Sequence, residues 1–334
     1  MGAAILSQDA GRSVRVRETP LTGAIAWTRD TLGPEDGLLR LTPDCRSELD
    51  HALAAIRTNP LPILMLEPGA FELSACRELM HRAKNLLEDG VGFVLIDRLP
   101  LEERTLEEAR ALYWLMIQLL ARPVAQSWDG KMIYDVRDLG QPPGNGVRPD
   151  VTNAEQSFHT DNSYNLCPPD YVALLCVRPA MEGGISQIVS FYTAHNEMLA
   201  RHPELLRRLY QPFLFDRQRE HAPDEAKVLR HSLFEYDGER LSGRLSRYQV
   251  RNGHALAGMP LDAEGETALE ALDAVMNAPC MHREFFFERG QVQILDNRRL
   301  GHKRTGFRDS PDEARRRHLV RLWLRDRGRR FYNG

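Results

Sequence analysis

The residues with the clearest capacity for chemistry lie near the middle of the chain, in the segment Phe158-His159-Thr160-Asp161-Asn162. Side chains alternate between the two faces of a β-strand, so His159 and Asp161 would share one face while Thr160 points away. An imidazole and a carboxylate, completed by a second imidazole, can bind a single Fe(II) and leave three cis positions open. The tripeptide alone is weak support, because a polar turn or a hydrogen-bonded core histidine is a more frequent reason for it.

A third ligand should be a histidine that is distant in sequence but near in space. His302 is the best candidate, because it follows a strand-like segment at 291–295 and precedes a strand that returns to the core. The chain has eleven histidines, and most of them must have ordinary roles. A lone histidine is also more often structural than metal-binding, so the prediction for His302 depends on the rest of the pattern.

Two arginines near the end of the chain could bind an anion. Along the last predicted strand, Arg317 and Arg321 share a face with Leu319 and Trp323. A guanidinium group binds a carboxylate through two parallel hydrogen bonds. A dicarboxylate cosubstrate that chelates iron at one end needs such a partner at its other end, and a hydroxyl donor such as Ser186. The neighbouring arginines are better explained as a solvent-exposed basic edge than as anion-binding residues.

Composition and charge restrict the classes of partner. Lysine and arginine total 44 against 47 aspartate and glutamate residues, which gives a net charge of -3 over 334 residues. This balance offers no general attraction to nucleic acid or to an anionic membrane. The five cysteines are scattered and form no C-x-x-C pair, which argues against a disulfide framework or a structural zinc site. We expect a soluble cytoplasmic protein, and whether it is a homo-oligomer stays open.

The order of predicted elements indicates an α+β protein. Thr105 and Glu108 have the spacing of a capping box. From about residue 131 onward, short strands alternate with Gly, Pro and Asn clusters, as in a β-sandwich or jelly roll. Residues 1–43 are expected to form an N-terminal arm or edge strands, and 191–276 a helical insert that could act as a lid. Apolar spacing predicts helices at 47–57, 72–87 and 105–120 and strands at 62–66 and 92–96.

Four segments together resemble the taurine/α-ketoglutarate dioxygenase superfamily, including its clavaminate-synthase-like members. The resemblance covers roughly residues 92–324, and its signals occur in the order found in that family. These segments are 158–161, 183–186, 296–307 and 317–324. Four motifs in the right order are far more specific than any one of them.

The resemblance implies both a fold and a set of site residues. The fold would be a double-stranded β-helix, or jelly roll, with flanking helices and the helical insert, in a single catalytic domain spanning 1–334. Ser186 and Arg317 would bind 2-oxoglutarate, and Arg321 matches a position that often reaches the prime substrate or the cosubstrate. The implied Fe(II) ligands are His159, Asp161 and His302.

The implied reaction is oxidation of a C–H bond, with hydroxylation as the default outcome and release of succinate and CO₂. The partners would be Fe(II), 2-oxoglutarate, O₂ and a small molecule, which Arg321 hints is anionic or amino-acid-like. Asn162, Tyr164 and Asn165 are expected to line the substrate pocket, although a role as turn residues fits them equally well.

Two other functions stay open at this point. One is a zinc-dependent hydrolase that uses the same His/Asp/His set, because these residues also suit Zn²⁺. The other is a non-catalytic β-sandwich that binds a ligand or a protein.

Overall fold

The computed structural model describes residues 5–7, 15–141 and 149–334. Parts of the predicted N-terminal arm, residues 1–4 and 8–14, therefore lie outside the described residues, as does most of the Gly/Pro/Asn cluster at 141–146. None of the helices in the described ranges combines the length and the apolar character needed to cross a membrane.

The described part of the chain contains seven α-helices, three before the β-rich region and four within it. The predicted capping box at the start of the third helix is present, because Thr105 Oγ1 accepts from Glu108 N at 3.2 Å and Glu108 Oε2 accepts from Thr105 N at 2.9 Å. The helices are α1 (Pro43–Thr58), α2 (Ser74–Glu88), α3 (Leu106–Gln118), α4 (Phe191–Arg201), α5 (Pro203–Leu209), α6 (Arg247–Ala257) and α7 (Ala263–Asn277).

Seventeen strands lie in the same described ranges, and most are shorter than six residues. They are β1 (Ile5–Ser7), β2 (Leu38–Arg40), β3 (Phe93–Asp97), β4 (Arg122–Val124), β5 (Tyr134–Val136), β6 (Tyr171–Arg178), β7 (Glu182–Gly183), β8 (Ser186–Ser190), β9 (Pro212–Asp216), β10 (Val228–Ser232), β11 (Phe234–Tyr236), β12 (Leu241–Gly243), β13 (His282–Phe285), β14 (Val292–Asp296), β15 (Leu300–Arg304), β16 (Phe307–Arg308) and β17 (His318–Arg325).

Two sheets position the central part of the molecule. The larger has the order β2-β3-β14-β6-β17-β4, and β5 also pairs with β17. All of its pairings are antiparallel except that of β2 with β3. The smaller sheet has the order β13-β8-β15 and is also antiparallel. The described chain combines these sheets with seven α-helices, so the predicted α+β class is confirmed.

The two faces of the larger sheet have different partners. Leu175, Val320 and Leu322 belong to a core cluster shared with α1, α2 and α3. The alternate residues of the same strands, including Leu174 and Arg321, face a cavity on the other side. The sheet therefore has a helix-covered face and a face that carries the candidate site.

Two predicted elements differ from the structure. Residues 62–66 form a 3₁₀ turn over Ile63–Met65 and not a strand, because their backbone groups are satisfied locally, with Met65 N donating to Pro62 O at 2.8 Å. The 191–276 segment is mixed and not wholly helical, since it contains four helices and strands β9 to β12. Phe213 and Phe215 of β9 are fully buried, so tertiary packing decides the strand there.

Candidate active site

A pair of backbone hydrogen bonds joins the two distant segments of the site. His159 N donates to His302 O, and His302 N donates to His159 O, both at 2.9 Å. The bridge is isolated and His159 lies in no strand, so the expected strand at 159–161 is wrong. Thr160 still points away as predicted, because its Oγ1 accepts from Leu245 N at 3.0 Å and its N donates to Leu245 O at 2.8 Å.

The bridge brings two imidazoles and a carboxylate together. Asp161 Oδ1 lies 3.5 Å from His159 Nε2 and 3.5 Å from His302 Nε2. One ligand atom from each of the three residues lies within 4.8 Å of the others. Atoms bound at about 2.1 Å to one metal at right angles are roughly 3 Å apart, so this set suits a single shared ion.

The surroundings of the two imidazoles suit metal binding. His159 Nδ1 lies 2.9 Å from Ser157 O, and a proton on Nδ1 would leave the Nε2 lone pair facing the cluster. Burial lowers the pKa of His302, and the neighbouring His159 lowers it further. Both effects favour an uncharged imidazole, which is the form that binds a metal.

The second oxygen of Asp161 is held by the last strand. Its Oδ2 accepts from Trp323 Nε1 at 2.6 Å and lies 3.2 Å from Arg321 Nη1. Burial opposes ionisation, but the Arg321 guanidinium holds the pKa of Asp161 well below its usual range. The carboxylate is therefore ionised and fixed before any ligand arrives.

Asn297 holds the backbone of Asp161. Its Oδ1 accepts from Asp161 N at 2.8 Å, and its Nδ2 donates to Asp161 O at 3.0 Å and to Pro169 O at 3.1 Å. A side-chain amide thus replaces the strand pairing that the residue lacks. Asn297 is itself buried and follows β14 directly.

A cavity of about 320 Å³ adjoins the cluster. Both sheets contribute to it, with His302 from β15, Ser186 from β8 and residues of β6 and β17. Of the sequence-predicted residues, all but one line it, namely His159, Asp161, His302, Ser186, Arg317, Arg321, Asn162 and Tyr164. The structure places Asn165 elsewhere, with its Nδ2 donating to Tyr332 O at 3.1 Å and its Oδ1 accepting from Leu166 N at 2.7 Å.

Arg317 and Arg321 share the cavity but differ in their partners. Arg321 Nε donates to Gln126 Oε1 at 2.9 Å and its Nη2 to Asp150 Oδ2 at 3.0 Å, besides its contact with Asp161. The guanidinium of Arg317 has no carboxylate within 4.0 Å among the described residues, and its buried Nη1 has no hydrogen-bond partner there. Burial lowers the pKa of Arg317 to about 10.

A second buried guanidinium lies close to Arg317. The charge centres of Arg304 and Arg317 are 4.6 Å and 5.0 Å from the centre of the same ring, that of Phe307. Burial and the nearby Arg317 lower the pKa of Arg304 to about 9. Arg304 is held by the backbone, since its Nη1 donates to Thr152 O at 2.9 Å. This end of the cavity is therefore positive and suits an anion.

Ser186 lies on β8 with its hydroxyl directed to the larger sheet. Its Oγ donates to Gln293 Oε1 at 2.9 Å. The hydroxyl oxygen can still accept a hydrogen bond, and the proton can be redirected to a ligand at small cost because a hydroxyl rotates.

Sequence reasoning missed several residues that hold the site. Trp323 had a usable signal, since it shares a face with Arg321 on the predicted strand. Asn297 and Arg304 stand in the 296–307 segment, but nothing in their spacing indicates their contacts. Gln126 and Asp150 lie in connections between elements and meet Arg321 only through tertiary packing.

The 191–276 segment supplies part of the cavity lining. Gln218 follows β9, and Ser246, Arg247, Tyr248 and Gln249 lie at the start of α6. Ser246 caps that helix by accepting from Gln249 N at 3.3 Å. A helix N-terminus carries a partial positive charge, so this part of the lining is also suited to a negative group.

The fold is that of known iron oxygenases. Asparagine oxygenase in complex with Fe(II), 2S,3S-3-hydroxyasparagine and succinate superposes with a TM-score of 0.64 at 18% identity, over 86% of this chain and 93% of that one. The non-heme iron oxygenase OrfP, in complex with Fe and alpha-ketoglutaric acid, gives a TM-score of 0.62 at 17% identity, over 87% and 94%.

Sequence relatives cover nearly the whole chain. FR-33289 synthase from Streptomyces rubellomurinus (strain ATCC 31215) is 29% identical over 330 residues, which are 95% of this chain and 94% of that protein. Taurine hydroxylase-like protein SAT17 from Stachybotrys chartarum (strain CBS 109288 / IBT 7711) is 23% identical over 337 positions, covering 96% and 84%.

The fold and these relatives define a non-heme Fe(II)- and 2-oxoglutarate-dependent dioxygenase. The sequence pattern of the family described as "Taurine catabolism dioxygenase TauD, TfdA family" matches residues 67–323, and the chain belongs to that family. The predicted family, enzyme class, Fe(II) and 2-oxoglutarate are thereby confirmed. This identification favours the oxygenase over the zinc hydrolase and the binding protein that the sequence left open.

We predict that Arg317→Met stabilises the protein in the absence of ligands. Methionine fills a similar volume without burying an unpaired charge, so the free energy of unfolding should rise by about 1 kcal/mol or more. The matched control is Arg325→Met, because Arg325 is equally buried, at 4% exposure, but donates to several carbonyls. That variant should lose about 2 kcal/mol. Urea unfolding measures both, and equal losses in the two variants would contradict the prediction.

Proposed function

We propose that His159, Asp161 and His302 bind the Fe(II) of this dioxygenase. The observation that supports this most directly is the approach of Asp161 Oδ1 to both Nε2 atoms at 3.5 Å. The outward atoms of two of these residues are also held, since His159 Nδ1 lies 2.9 Å from Ser157 O and Asp161 Oδ2 accepts from Trp323 Nε1. When bound, Fe(II) would supply the chemistry of its class, in which 2-oxoglutarate, O₂ and a C–H substrate give succinate, CO₂ and a hydroxylated product.

Arg317 and Ser186 are proposed to bind the 5-carboxylate of 2-oxoglutarate. Arg317 supports this because it is buried beside the cavity and has no carboxylate partner within the described ranges, and a buried charge is stable only when it is paired. The nearby Arg304 adds positive potential at the same end. Ser186 Oγ lines this cavity and retains acceptor and donor capacity.

Arg321 is proposed to position Asp161 and not to bind substrate or cosubstrate. Three of its nitrogen atoms already contact Gln126, Asp150 and Asp161. Together with Trp323 Nε1 it fixes the orientation and the charge of the carboxylate. The residue therefore acts through Asp161, which differs from the role that the family resemblance implied.

The proposed prime substrate is a small molecule with an anionic group, of the amino-acid or sulfonate type. Asn162 lines the cavity, and its Nδ2 has no partner among the described residues, so it could donate to a substrate oxygen. Arg247, at the N-terminus of α6, has no hydrogen-bond partner for its Nε in the described part of the chain, although its Nη1 contacts Asp273. Hydroxy-amino acids and taurine, named in relatives, have such groups.

The architecture that we propose is a jelly roll in one catalytic domain spanning 1–334. Two sheets, antiparallel apart from the pairing of β2 with β3, contribute residues to one cavity, which supports this description. The 191–276 segment is proposed as the substrate lid, since Gln218 and the start of α6 line the cavity. A cytoplasmic location is proposed from the free cysteines alone.

Asp161→Ala should abolish Fe(II)-dependent conversion of 2-oxoglutarate to succinate. The two histidines would lose the only carboxylate of the set, and a metal site that lacks a ligand binds weakly. Glu155→Ala is the control, because Glu155 also lines the cavity but contacts Lys303. Succinate is measured by mass spectrometry under air with Fe(II) and ascorbate. Turnover by Asp161→Ala at the level of Glu155→Ala would refute the ligand assignment.

Arg317→Met should weaken binding of 2-oxoglutarate by at least about tenfold, since hydrogen bonds to a charged partner are lost. Anaerobic calorimetry of the Fe(II)-loaded protein gives the dissociation constant. Arg315→Met is the control, because it removes an exposed charge from the same stretch. If both variants bind 2-oxoglutarate as the unmodified protein does, Arg317 is not the anion partner.

A substrate screen tests the proposed class. L-Asparagine, L-arginine and taurine would each be tested against the matched compound in which the carboxylate or sulfonate is converted to a neutral amide or ester. We expect succinate formation above background to depend on the anionic group, and a product mass increased by one oxygen. A neutral compound that works as well as its anionic parent would contradict the proposed recognition.

A further inference from the structure

The segment 329–334 lies beyond the residues that match the family pattern, yet it packs into the site. Arg325, at the end of β17, holds this segment by its carbonyls. Its Nη1 donates to Phe331 O at 2.8 Å and its Nη2 to Tyr332 O at 2.9 Å, and Nη2 also donates to Cys167 O. The segment is thereby tied to the turn that follows Asp161.

Tyr332 is the residue of this segment that enters the interior, with 4% of its surface exposed. Its hydroxyl donates to Asn162 Oδ1 at 2.9 Å and lies 2.8 Å from the hydroxyl of Tyr164. Its ring stacks on that of Trp323, with 6.5 Å between centroids and 22° between planes. One side chain therefore contacts both the residue next to Asp161 and the indole that holds it.

Both of these contacts bear on the carboxylate of Asp161. Trp323 Nε1 donates to Asp161 Oδ2 at 2.6 Å, so the position of the indole sets the position of that oxygen. Asn162 has φ of +55°, a left-handed conformation that turns the chain directly after Asp161. The hydroxyl of Tyr332 holds the side chain of Asn162 in this turn, while its ring limits the movement of Trp323.

We propose that Tyr332 is a positioning residue for the metal-binding carboxylate, and that it raises the affinity of the site for a divalent cation. The inference rests on the proposed function, in which Asp161 is a metal ligand. Groups that orient a ligand typically change metal affinity by 10- to 100-fold when they are removed. Tyr332 does so from the 329–334 segment, by fixing Trp323 on one side and Asn162 on the other.

Two substitutions separate the ring from the hydroxyl. Tyr332→Phe keeps the stacking on Trp323 and removes the hydrogen bonds of the hydroxyl to Asn162 and Tyr164. Tyr332→Leu removes both contacts. The control is Phe331→Leu, because Phe331 is 65% exposed and contributes its backbone carbonyl, which the substitution retains, to Arg325.

Each metal-free protein is titrated anaerobically with Fe(II) alone, without 2-oxoglutarate, and the heat of binding is measured by calorimetry. We expect the dissociation constant to increase about 10- to 100-fold in Tyr332→Leu and by a smaller factor in Tyr332→Phe, and to stay unchanged in Phe331→Leu. Thermal unfolding of the metal-free proteins is recorded in parallel. If Tyr332→Leu does not fold, the Fe(II) affinity of Tyr332→Phe is the test of the inference.

Two results would overturn the inference. One is a folded Tyr332→Leu protein that binds Fe(II) as tightly as the unmodified protein. If only Tyr332→Phe folds, the other is unchanged Fe(II) affinity in that variant. Failure of the proposed function has a different signature, because the unmodified protein and Asp161→Ala would then bind Fe(II) equally.

Discussion

The reciprocal hydrogen bonds between the backbones of His159 and His302 are the constraint on which the site depends. They close a loop that includes both β8 and the whole 191–276 segment, and closing a long loop costs conformational entropy that other contacts must offset. Asn297 and the pairing of Thr160 with Leu245 supply such contacts on either side. With the backbones fixed in this way, three side chains from two distant segments converge without a continuous strand between them.

Charge is distributed unequally around the resulting cavity. Arg321 is neutralised by Asp150 and Asp161. It therefore holds these side chains in place but adds little net positive potential to the cavity. Arg317 is left without a carboxylate among the described residues, and Arg304 adds a second buried charge beside it. A protein retains an uncompensated buried charge when a ligand supplies the missing partner, as a dianionic cosubstrate would here. The two ends of the cavity thus differ in what they can bind.

Much of this arrangement could be predicted from the sequence because it depends on local regularity. The strand at 318–325 places Arg321 and Trp323 on the cavity side as the period of two requires, and the capping box at Thr105 forms as expected. Arg317 lines the same cavity although it precedes this strand and the register shifts between His318 and Leu319. Asn165 lies outside the cavity lining and fits the alternative role of a turn residue, because a turn, unlike a strand, gives no fixed direction to its side chains. The strands of 191–276 were missed because they are short, and their pairing is decided by burial.

The role of Arg321 could not be read from its position alone. Its partners Gln126 and Asp150 come from connections far away in sequence, and a single guanidinium beside a cavity can face either a ligand or the protein. The same holds for Tyr332, whose contacts depend on how Arg325 folds the 329–334 segment back. Long-range contacts of this kind leave no periodic pattern in the chain.

One part of the cavity lining comes from α6 and the residues after β9, while the segments joined by the backbone bridge and the two sheets supply most of the rest. Under the proposed function, residues of α6 and Asn162 would contact the substrate, while oxidation would depend on His159, Asp161 and His302. The bridge between His159 and His302 holds these proposed metal ligands together from either side of the intervening segment. An enzyme built in this way can diverge towards new substrates by altering residues 212–262 while its oxidising centre is inherited unchanged.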